Sequence, residues 1–219
     1  MPDHSPNVLV IDTATDACSV AVQRDGQVES ISEVIPRQHS QRLFGMLREL
    51  LPSGDMTQQN IELLAYNHGP GSFTGLRIAA SAIQGLAFSH NLPIVGVSTL
   101  ECIAEGARRS GDAAVGETIL VILDARIGEV YWALFKIEAT NLSRLHIDAV
   151  CSAAEVLSEI PDNVKVDQTF SGRQPDPVDL INLAVVAWEQ GQSLSAEEVV
   201  PVYVRNEISW KKLAEQGPQ

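Results

Sequence analysis

The polar segment 12–15 carries side chains that could hold a phosphate or a metal-bound water. Asp12, Thr13 and Thr15 follow a short apolar run near the start of the chain. At the carboxyl end of a central strand, such a carboxylate could orient a phosphate or a water on a metal, and the hydroxyls could donate to it. The alternative is that Asp12 caps its own loop by accepting from backbone N–H groups. The spacing alone favours this structural role.

A glycine-rich segment at 69–77 is the second candidate for binding an anion. Gly69, Gly71 and Ser72 stand directly before a stretch with helical character. The N–H groups of a helix N-terminus facing a phosphate would give them a binding role. The competing interpretation is a tight turn ended by an N-cap serine, with Gly75 allowing a close approach of the helix. Because a single glycine-rich turn is a weak signal, the sequence favours the structural interpretation.

Other residue types that support catalysis do not form recognisable motifs. The sequence contains neither the glycine–lysine pair of a Walker A loop nor the HExxH pattern of helical zinc proteases. His39 has no second histidine one helical turn later, and His68 has no acidic neighbour in sequence, so both are interpreted as surface or capping residues. Neither a disulfide framework nor a local zinc knuckle is expected from three widely spaced cysteines, which are Cys18, Cys102 and Cys151.

The elements that must position these residues follow an α/β pattern. The chain opens with an apolar strand that ends at Asp12, and two further strands complete a meander. Apolar residues at helical spacing predict a helix at 39–51, which precedes a buried strand at 61–66. Small and apolar residues nearly all round predict a buried or partner-covered helix at 73–90.

The opening pattern occurs a second time half a chain later. An apolar run ending at Asp124, a loop and another strand repeat the arrangement around Asp12. Repetition over this distance predicts two related subdomains, of which the second is reduced. We place the first at 1–105 and the second at 106–198, and we expect a tail at about 199–219 to pack back on the first.

Two apolar stripes on the predicted helices have two interpretations. They comprise Leu43, Leu47 and Leu50 on the first helix and Gly75, Ile78, Ala79, Ala82 and Leu86 on the second. The simpler interpretation assigns both stripes to the protein's own core. The alternative is a partner surface, in which two helices from each chain form a four-helix interface of about 1,600 Å².

Composition restricts the classes of partner. The 219 residues include 15 Lys+Arg and 28 Asp+Glu, which give a net charge of −13. This balance argues against nucleic-acid binding by the chain alone, because affinity for phosphates comes mainly from clustered cations. No apolar run approaches the roughly 18 residues of a membrane span, and the first residues do not form a signal peptide. We therefore expect a cytoplasmic protein with reduced thiols.

Several segments together resemble one protein family. The matching segments are 11–15, 18–21, 39–43, 69–78, 96–100, 124–126, 128–132 and 201–207. They are similar to the TsaB (YeaZ) family, the accessory proteins of bacterial tRNA threonylcarbamoyladenosine (t6A) synthesis. The resemblance runs from residue 8 to about 212. It implies an α/β fold of the actin/Hsp70/sugar-kinase (ASKHA) type with two related subdomains.

The resemblance also implies a function and partners. A member of this family is a non-catalytic scaffold that pairs with its catalytic paralogue TsaD through the first two helices. TsaD forms the threonylcarbamoyl group on N6 of adenosine 37 in tRNAs that read codons beginning with A. The ATPase TsaE is a further implied partner, and tRNA would be reached only through the complex. No tightly bound cofactor is implied, although ATP or ADP at the complex interface is left open, with weak phosphate contacts from Asp12, Thr13, Thr15, Gly69, Gly71 and Ser72.

One departure from the paralogue bears on catalysis. In TsaD, a His-Met-Glu-Gly-His segment supplies two metal ligands, and the matching residues here are 99–103. Thr99 and Ile103 replace the two histidines, and neither can substitute for an imidazole at a metal. The resemblance therefore implies no catalytic residues and no metal. The alternatives are a stand-alone nucleotide-dependent phosphotransferase or metallopeptidase-like enzyme of the same fold, and a homodimer through the same helix faces when TsaD is absent.

Overall fold

The computed structural model describes residues 5–52, 56–57 and 59–204, which form two mixed α/β halves. The first half contains, in chain order, β1 (Val8–Asp12), β2 (Ala17–Arg24), β3 (Gln27–Val34), α1 (His39–Leu50), β4 (Leu63–Gly69), α2 (Phe73–His90), β5 (Ile94–Ser98) and α3 (Thr99–Ser110). The chain continues with β6 (Thr118–Arg126), β7 (Glu129–Ile137), β8 (Leu142–Ser152), α4 (Val156–Glu159), β9 (Gln168–Ser171) and α5 (Pro177–Glu189). None of the helices in these ranges is long and apolar enough to cross a membrane.

The first sheet has the strand order β3-β2-β1-β4-β5, with β1 at its centre. β1 pairs antiparallel with β2 and parallel with β4, and β4 pairs parallel with β5. All five residues of β1 are buried, because helices cover both faces of the sheet. The carboxyl ends of β1, β4 and β5 therefore meet at one edge, which is where open α/β sheets bind ligands.

α1 and α2 cover one face of the first sheet with the apolar stripes that the sequence predicts. Leu43 and Leu50 of α1 share a core with Ala79 of α2 and with side chains of the sheet. α2 begins after Ser72, whose hydroxyl accepts the Gly75 N–H at 3.3 Å as an N-cap. The sequence predicted α2 at its observed bounds and α1 one residue longer than observed.

The second sheet has the order β8-β7-β6-β9 and repeats the connectivity of the first. β6 pairs antiparallel with β7 and parallel with β9, just as β1 pairs with β2 and β4. It has four strands instead of five, and α4 on this side contains only four residues. The prediction of two related halves with a reduced second half is therefore confirmed.

α3 and α5 connect the two halves more closely than the predicted boundaries allow. Cys102 of α3 packs in a core with the first sheet, whereas Ile103 of the same helix packs against the second sheet. The boundary predicted between 105 and 106 therefore falls inside a helix that both halves share. α5 lies within the segment 106–198 assigned to the second subdomain, but its Leu180 packs on the first sheet.

The last described residues return to the first sheet. The Tyr66 hydroxyl donates to the Val200 carbonyl at 3.1 Å, and the Val202 N–H donates to the His68 carbonyl at 2.8 Å. These bonds hold the returning segment against the carboxyl end of β4. Residues 205–219 of the predicted tail lie outside the described residues.

Candidate functional site

A cavity of about 860 Å³ opens between the two halves. Its walls are the loop after β1, the turn before α2, the end of β6 and the returning C-terminal residues. The residues that line it include Thr15, Asp16, Gly71, Ser72, Asp124 and Tyr203. We refer to this cavity as the cleft. Its position corresponds to the carboxyl ends of β1 and β6, where the repeated aspartates lie.

Asp12 lies behind the wall of the cleft and is 1% exposed. Its Oδ1 accepts a hydrogen bond from the Ala14 N–H at 2.9 Å. Burial raises the pKa of the Asp12 carboxyl to about 6, although the Ala14 N–H and the neighbouring Asn67 amide lower it. The structure therefore shows Asp12 in the loop-capping role that the sequence favoured.

The glycine-rich segment packs on the loop after β1. Thr13 Oγ1 donates to the Gly75 carbonyl at 2.7 Å, and the Ser72 N–H donates to the Ala14 carbonyl at 2.7 Å. A side chain at Gly71 would overlap the Ala14 carbonyl, and one at Gly75 would overlap the Thr13 carbonyl. The glycines thus permit a close approach of two backbone segments, which is the structural interpretation that the sequence favoured.

The structure separates the six residues expected as weak phosphate contacts. The three that line the cleft are Thr15, Gly71 and Ser72. Asp12 and Thr13 are buried behind the cleft wall, and Gly69 packs against the carbonyl of Val202. Only the first three could therefore contact a ligand in the cleft without a rearrangement of the loops.

An ion pair joins the two halves at the mouth of the cleft. Arg126, at the end of β6, places a guanidinium nitrogen 3.1 Å from the carboxylate of Asp16, which follows β1. Asp124 accepts the Arg126 N–H at 2.9 Å and also pairs with its guanidinium. Because Arg126 and Asp124 are largely exposed and Asp16 is about half exposed, solvent screens these pairs.

An aromatic and arginine cluster at the rim was not predicted from the sequence. The rings of Phe73 and Tyr203 lie 5.1 Å apart, and the Arg77 guanidinium sits 3.9 Å above the Phe73 ring. Arg77 Nε also donates to the Tyr203 hydroxyl at 2.9 Å. Phe73 and Arg77 share one helical turn, but Tyr203 comes from the returning segment. Only its presence in the family-like segment 201–207 could have pointed to it.

The predicted partner-interface residues are mostly buried within the chain, which corrects that assignment. The buried members are Leu43, Leu47, Leu50, Gly75, Ala79 and Ala82, and the partly buried members are Ile78 and Leu86. They form the protein's own core because this face of each helix packs on the first sheet. Outside these stripes, α1 and α2 carry two exposed aromatic residues, Phe44 at 53% and Phe88 at 76% exposure.

The residues at the positions implied for metal ligands are buried in the core. Thr99 begins α3 and is 0% exposed, and Ile103 packs against the second sheet. Burial also raises the pKa of the neighbouring Cys102 thiol well above its ordinary value. In the part of the chain that the structure describes, no group of three or more His, Cys, Asp or Glu side chains is placed to hold a metal ion.

The two histidines considered in the sequence are interior residues. His39 is buried at the start of α1, with Nε2 3.2 Å from the Ala17 carbonyl. His68 is mostly buried, and this burial lowers the pKa of its imidazole. The surface alternative is therefore wrong for both, and His39 contacts the Ala17 carbonyl at the start of β2 instead of capping α1.

Sequence comparison relates the chain to proteins of tRNA modification. Residues 28–201 match the family model described as TsaD, tRNA N6-adenosine threonylcarbamoyltransferase. The tRNA threonylcarbamoyladenosine biosynthesis protein TsaB of Escherichia coli K12 is 34% identical, covering 94% of this chain and 97% of the relative. The TsaB protein of Haemophilus influenzae is 31% identical, covering 94% of this chain and 96% of the relative.

Solved structures show the same fold. YeaZ from Pseudomonas aeruginosa superposes with a TM-score of 0.78 at 32% identity, covering 90% of this chain and 99% of that chain. A second Pseudomonas aeruginosa structure, described as an uncharacterized protein with similarity to peptidase YEAZ, gives a TM-score of 0.79 at 33% identity. The match covers 91% of this chain and 100% of that chain. These similarities and the repeated sheets confirm the expected α/β fold of the ASKHA type.

Proposed function

Because the chain belongs to the TsaB (YeaZ) family, we propose that it takes part in the biosynthesis of threonylcarbamoyladenosine in tRNA. The observation that carries this proposal is the similarity to two TsaB proteins over 94% of the chain. The match to the TsaD model over residues 28–201 supports descent from the same ancestor as the transferase. The product would be the threonylcarbamoyl group on N6 of adenosine 37.

We further propose that the chain is a non-catalytic activator in this process. Thr99 and Ile103 stand where the resemblance to TsaD places two histidine ligands, and both are buried in the core. Asp12, one of the weak phosphate contacts considered from the sequence, caps its own loop and lies behind the cleft wall. These residues favour an accessory subunit over a stand-alone phosphotransferase or metallopeptidase-like enzyme.

The proposed partner is TsaD, bound through the exposed faces of α1 and α2. Contiguous apolar patches on a protein surface mark interaction sites, and we propose that the exposed aromatic residues of α1 and α2 belong to such a patch. Phe44 lies on α1, Phe88 lies on α2, and the two helices contact each other. The partly buried Ile78 and Leu86 extend the apolar character of α2. A second copy of the chain could occupy the same faces when TsaD is absent.

The net charge of the chain bears on how tRNA would be bound. With a net charge of −13, the chain is a poor ligand for tRNA on its own, so the positive surface would come from the rest of the complex. We propose that TsaE joins through that complex and that ATP or ADP binds at its interface rather than tightly to this chain. Cytoplasmic localisation accords with a tRNA substrate.

The proposal is tested by co-purification with TsaD and by assaying threonylcarbamoyl transfer with and without the chain. We expect transfer to depend on the chain. Phe88→Glu should weaken TsaD binding by at least about thirtyfold, the loss typical of an interface hot spot. Ile147→Glu is the matched control, because Ile147 lies on β8 and is similarly exposed at 72%.

Two results would contradict the proposal. Full transfer activity of TsaD without the chain would remove the activator role. Equal binding of TsaD to the Phe88→Glu and Ile147→Glu variants would remove α2 from the interface. Circular dichroism of both variants establishes that the fold is retained, since both positions are at the surface.

A further inference from the structure

A continuous set of hydrogen bonds connects the buried carboxyl of Asp12 to the first turn of α2. Asp12 Oδ1 accepts the Ala14 N–H at 2.9 Å. The carbonyl of the same Ala14 accepts the Ser72 N–H at 2.7 Å. Ser72 is the N-cap of α2, and its hydroxyl accepts the Gly75 N–H at 3.3 Å. The carboxyl therefore determines the position of a backbone segment that in turn bonds the start of the helix.

A second contact makes this connection stiff. Thr13, between Asp12 and Ala14, is fully buried and donates its hydroxyl to the Gly75 carbonyl at 2.7 Å. Neither Gly71 nor Gly75 has room for a Cβ atom against the loop after β1. Backbones packed this closely cannot slide past one another without breaking both bonds. The loop at 13–15 and the first turn of α2 therefore move as one body.

The first turn of α2 also positions exposed groups. Phe73 is its first residue, and Arg77 stacks on the Phe73 ring while donating to the Tyr203 hydroxyl. The same 18-residue helix carries Phe88 near its other end. A rigid helix transmits a tilt at its N-terminus along its whole length, so the position of Phe88 depends on how the first turn is held.

We propose that Asp12 is a positioning residue for the partner-binding helix: its carboxyl oxygen fixes the 13–15 loop, and the loop fixes α2 in the orientation that a partner recognises. The partner-binding part of this inference rests on the proposed function, whereas the positioning of α2 does not. Asp12 acts through the loop, because its side chain is buried behind the wall of the cleft.

The burial of the Ala14 N–H explains why an acceptor is needed there. Ala14 is 1% exposed, so water cannot replace the Asp12 oxygen if it is removed, and the N–H would be left without a partner. Asp124 offers the internal comparison. It accepts the Arg126 N–H at the same 2.9 Å, but that hairpin is exposed and solvent can take over the bond.

Hydrogen exchange of the free protein tests the positioning. Asp12→Ala removes the acceptor, Asp12→Asn keeps an oxygen in its place, and Asp124→Ala removes the equivalent oxygen in the exposed hairpin. We expect Asp12→Ala to speed exchange of the amides at 72–77 by about tenfold, the scale of one buried hydrogen bond. Asp12→Asn and Asp124→Ala should not speed exchange in that segment.

If Asp12→Ala does not fold, the Thr13→Val variant still allows the positioning of α2 to be tested by hydrogen exchange. Thr13→Val preserves the shape of the side chain but removes the hydroxyl that donates to Gly75. It should raise exchange at 72–77 in the same way and weaken TsaD binding by about tenfold. Binding by Asp12→Asn should remain at the wild-type level, because the oxygen that accepts the Ala14 N–H is kept.

The outcomes separate the inference from the proposed function. Unchanged exchange at 72–77 in both Asp12→Ala and Thr13→Val would overturn the positioning role, as would an equal rise over the whole chain. Local exchange that rises while TsaD binding stays constant would overturn the connection to the partner. If Phe88→Glu also leaves TsaD binding unaffected, the assignment of α2 as the partner helix fails, but exchange still reports on Asp12.

Discussion

Asp12 and Asp124 form the same turn at equivalent positions of the two halves. In each, Oδ1 accepts the N–H of the residue two positions later at 2.9 Å. Asp12 is 1% exposed, whereas the side chain of Asp124 is 64% exposed and also pairs with Arg126. The same turn is therefore buried in the first half and exposed to solvent in the second. A substitution at Asp124 can serve as the control for the same substitution at Asp12.

Replacing Asp12 by asparagine should stabilise the protein at neutral pH. The pKa of Asp12 is raised to about 6 in the fold by burial, whereas an unfolded aspartate titrates near about 3.9. Folding therefore takes up a proton between these values, and stability falls as the pH rises through about 6. Asp12→Asn removes this cost, so the free energy of unfolding at pH 7.5 should rise by about 2–3 kcal/mol.

Urea denaturation at several pH values measures this effect. The difference between Asp12→Asn and wild type should shrink as the pH falls toward about 4, where the native Asp12 is already neutral. Asp124→Asn, which alters an exposed carboxyl, is the control. A gain for Asp12→Asn that is the same at all pH values would show that ionisation is not its cause.

Alanine at two glycines of α2 should have opposite effects on stability. A Cβ at Gly75 would overlap the Thr13 carbonyl, so Gly75→Ala should lower the free energy of unfolding by about 1–3 kcal/mol. Gly85 faces open space in the same helix, and Gly85→Ala should raise it by about 0.5–1 kcal/mol through helix propensity. Thermal and urea melts of the two variants provide the comparison. Equal changes in stability for the two variants would mean that the loop containing Thr13 moves away from the added methyl group at little cost.

Arg77 and Tyr203 should be energetically coupled. The guanidinium donates to the Tyr203 hydroxyl at 2.9 Å and stacks on the exposed Phe73 ring at 3.9 Å. A double-mutant cycle with Arg77→Ala and Tyr203→Phe should give a coupling of about 0.5–1 kcal/mol. Arg173→Ala, which disrupts a separate stack on Phe170, should be additive with Tyr203→Phe. Additivity of both pairs would show that the rim cluster adds no stability.

Two arginines that join the halves should differ in importance. The side chain of Arg144 on β8 is 30% exposed and bonds Glu101 of α3 and Asp148 at 2.6 Å each, whereas that of Arg126 is 69% exposed and pairs with Asp16. Arg144→Ala should cost about 1–3 kcal/mol, because Glu101 loses its guanidinium partner and Asp148 keeps the Ser98 hydroxyl but loses the guanidinium. Arg126→Ala should cost less than about 1 kcal/mol. Urea denaturation measures the free energy of unfolding of both variants. A larger loss of stability for Arg126→Ala than for Arg144→Ala would contradict this prediction.

The local pattern of the chain predicted the repeated strands and the helices because these depend on short-range periodicity. Asp12 and Asp124 could be matched from the apolar runs before them, and the 73–90 helix from its caps and composition. Periodicity shows that a helix has an apolar stripe but not which surface covers it. Leu43 and Ala82 were therefore weighed as partner contacts, although the structure buries them and exposes Phe44 and Phe88.

Contacts between segments that are far apart in the chain could not be predicted from the sequence. Arg77 and Tyr203 are separated by 126 positions, and no local pattern connects them. The same holds for Gly75 and Thr13, since the sequence indicated a close approach of the helix but not the backbone it approaches. The sequence therefore predicted the separate loops around the cleft. The hydrogen bonds that join these loops to one another are visible only in the structure.

The position of α3 between the two sheets determines how cooperatively the chain unfolds. One side of this helix completes the core of the first sheet through Cys102, and another completes that of the second through Ile103 and Ala107. A fragment that ends at residue 105 would keep the first sheet but lose Leu180 of α5 from its core, and one that starts there would keep the second sheet but lose Leu100 and Ile103. Heat or denaturant should therefore melt both sheets in a single cooperative transition, although the topology reads as two repeats.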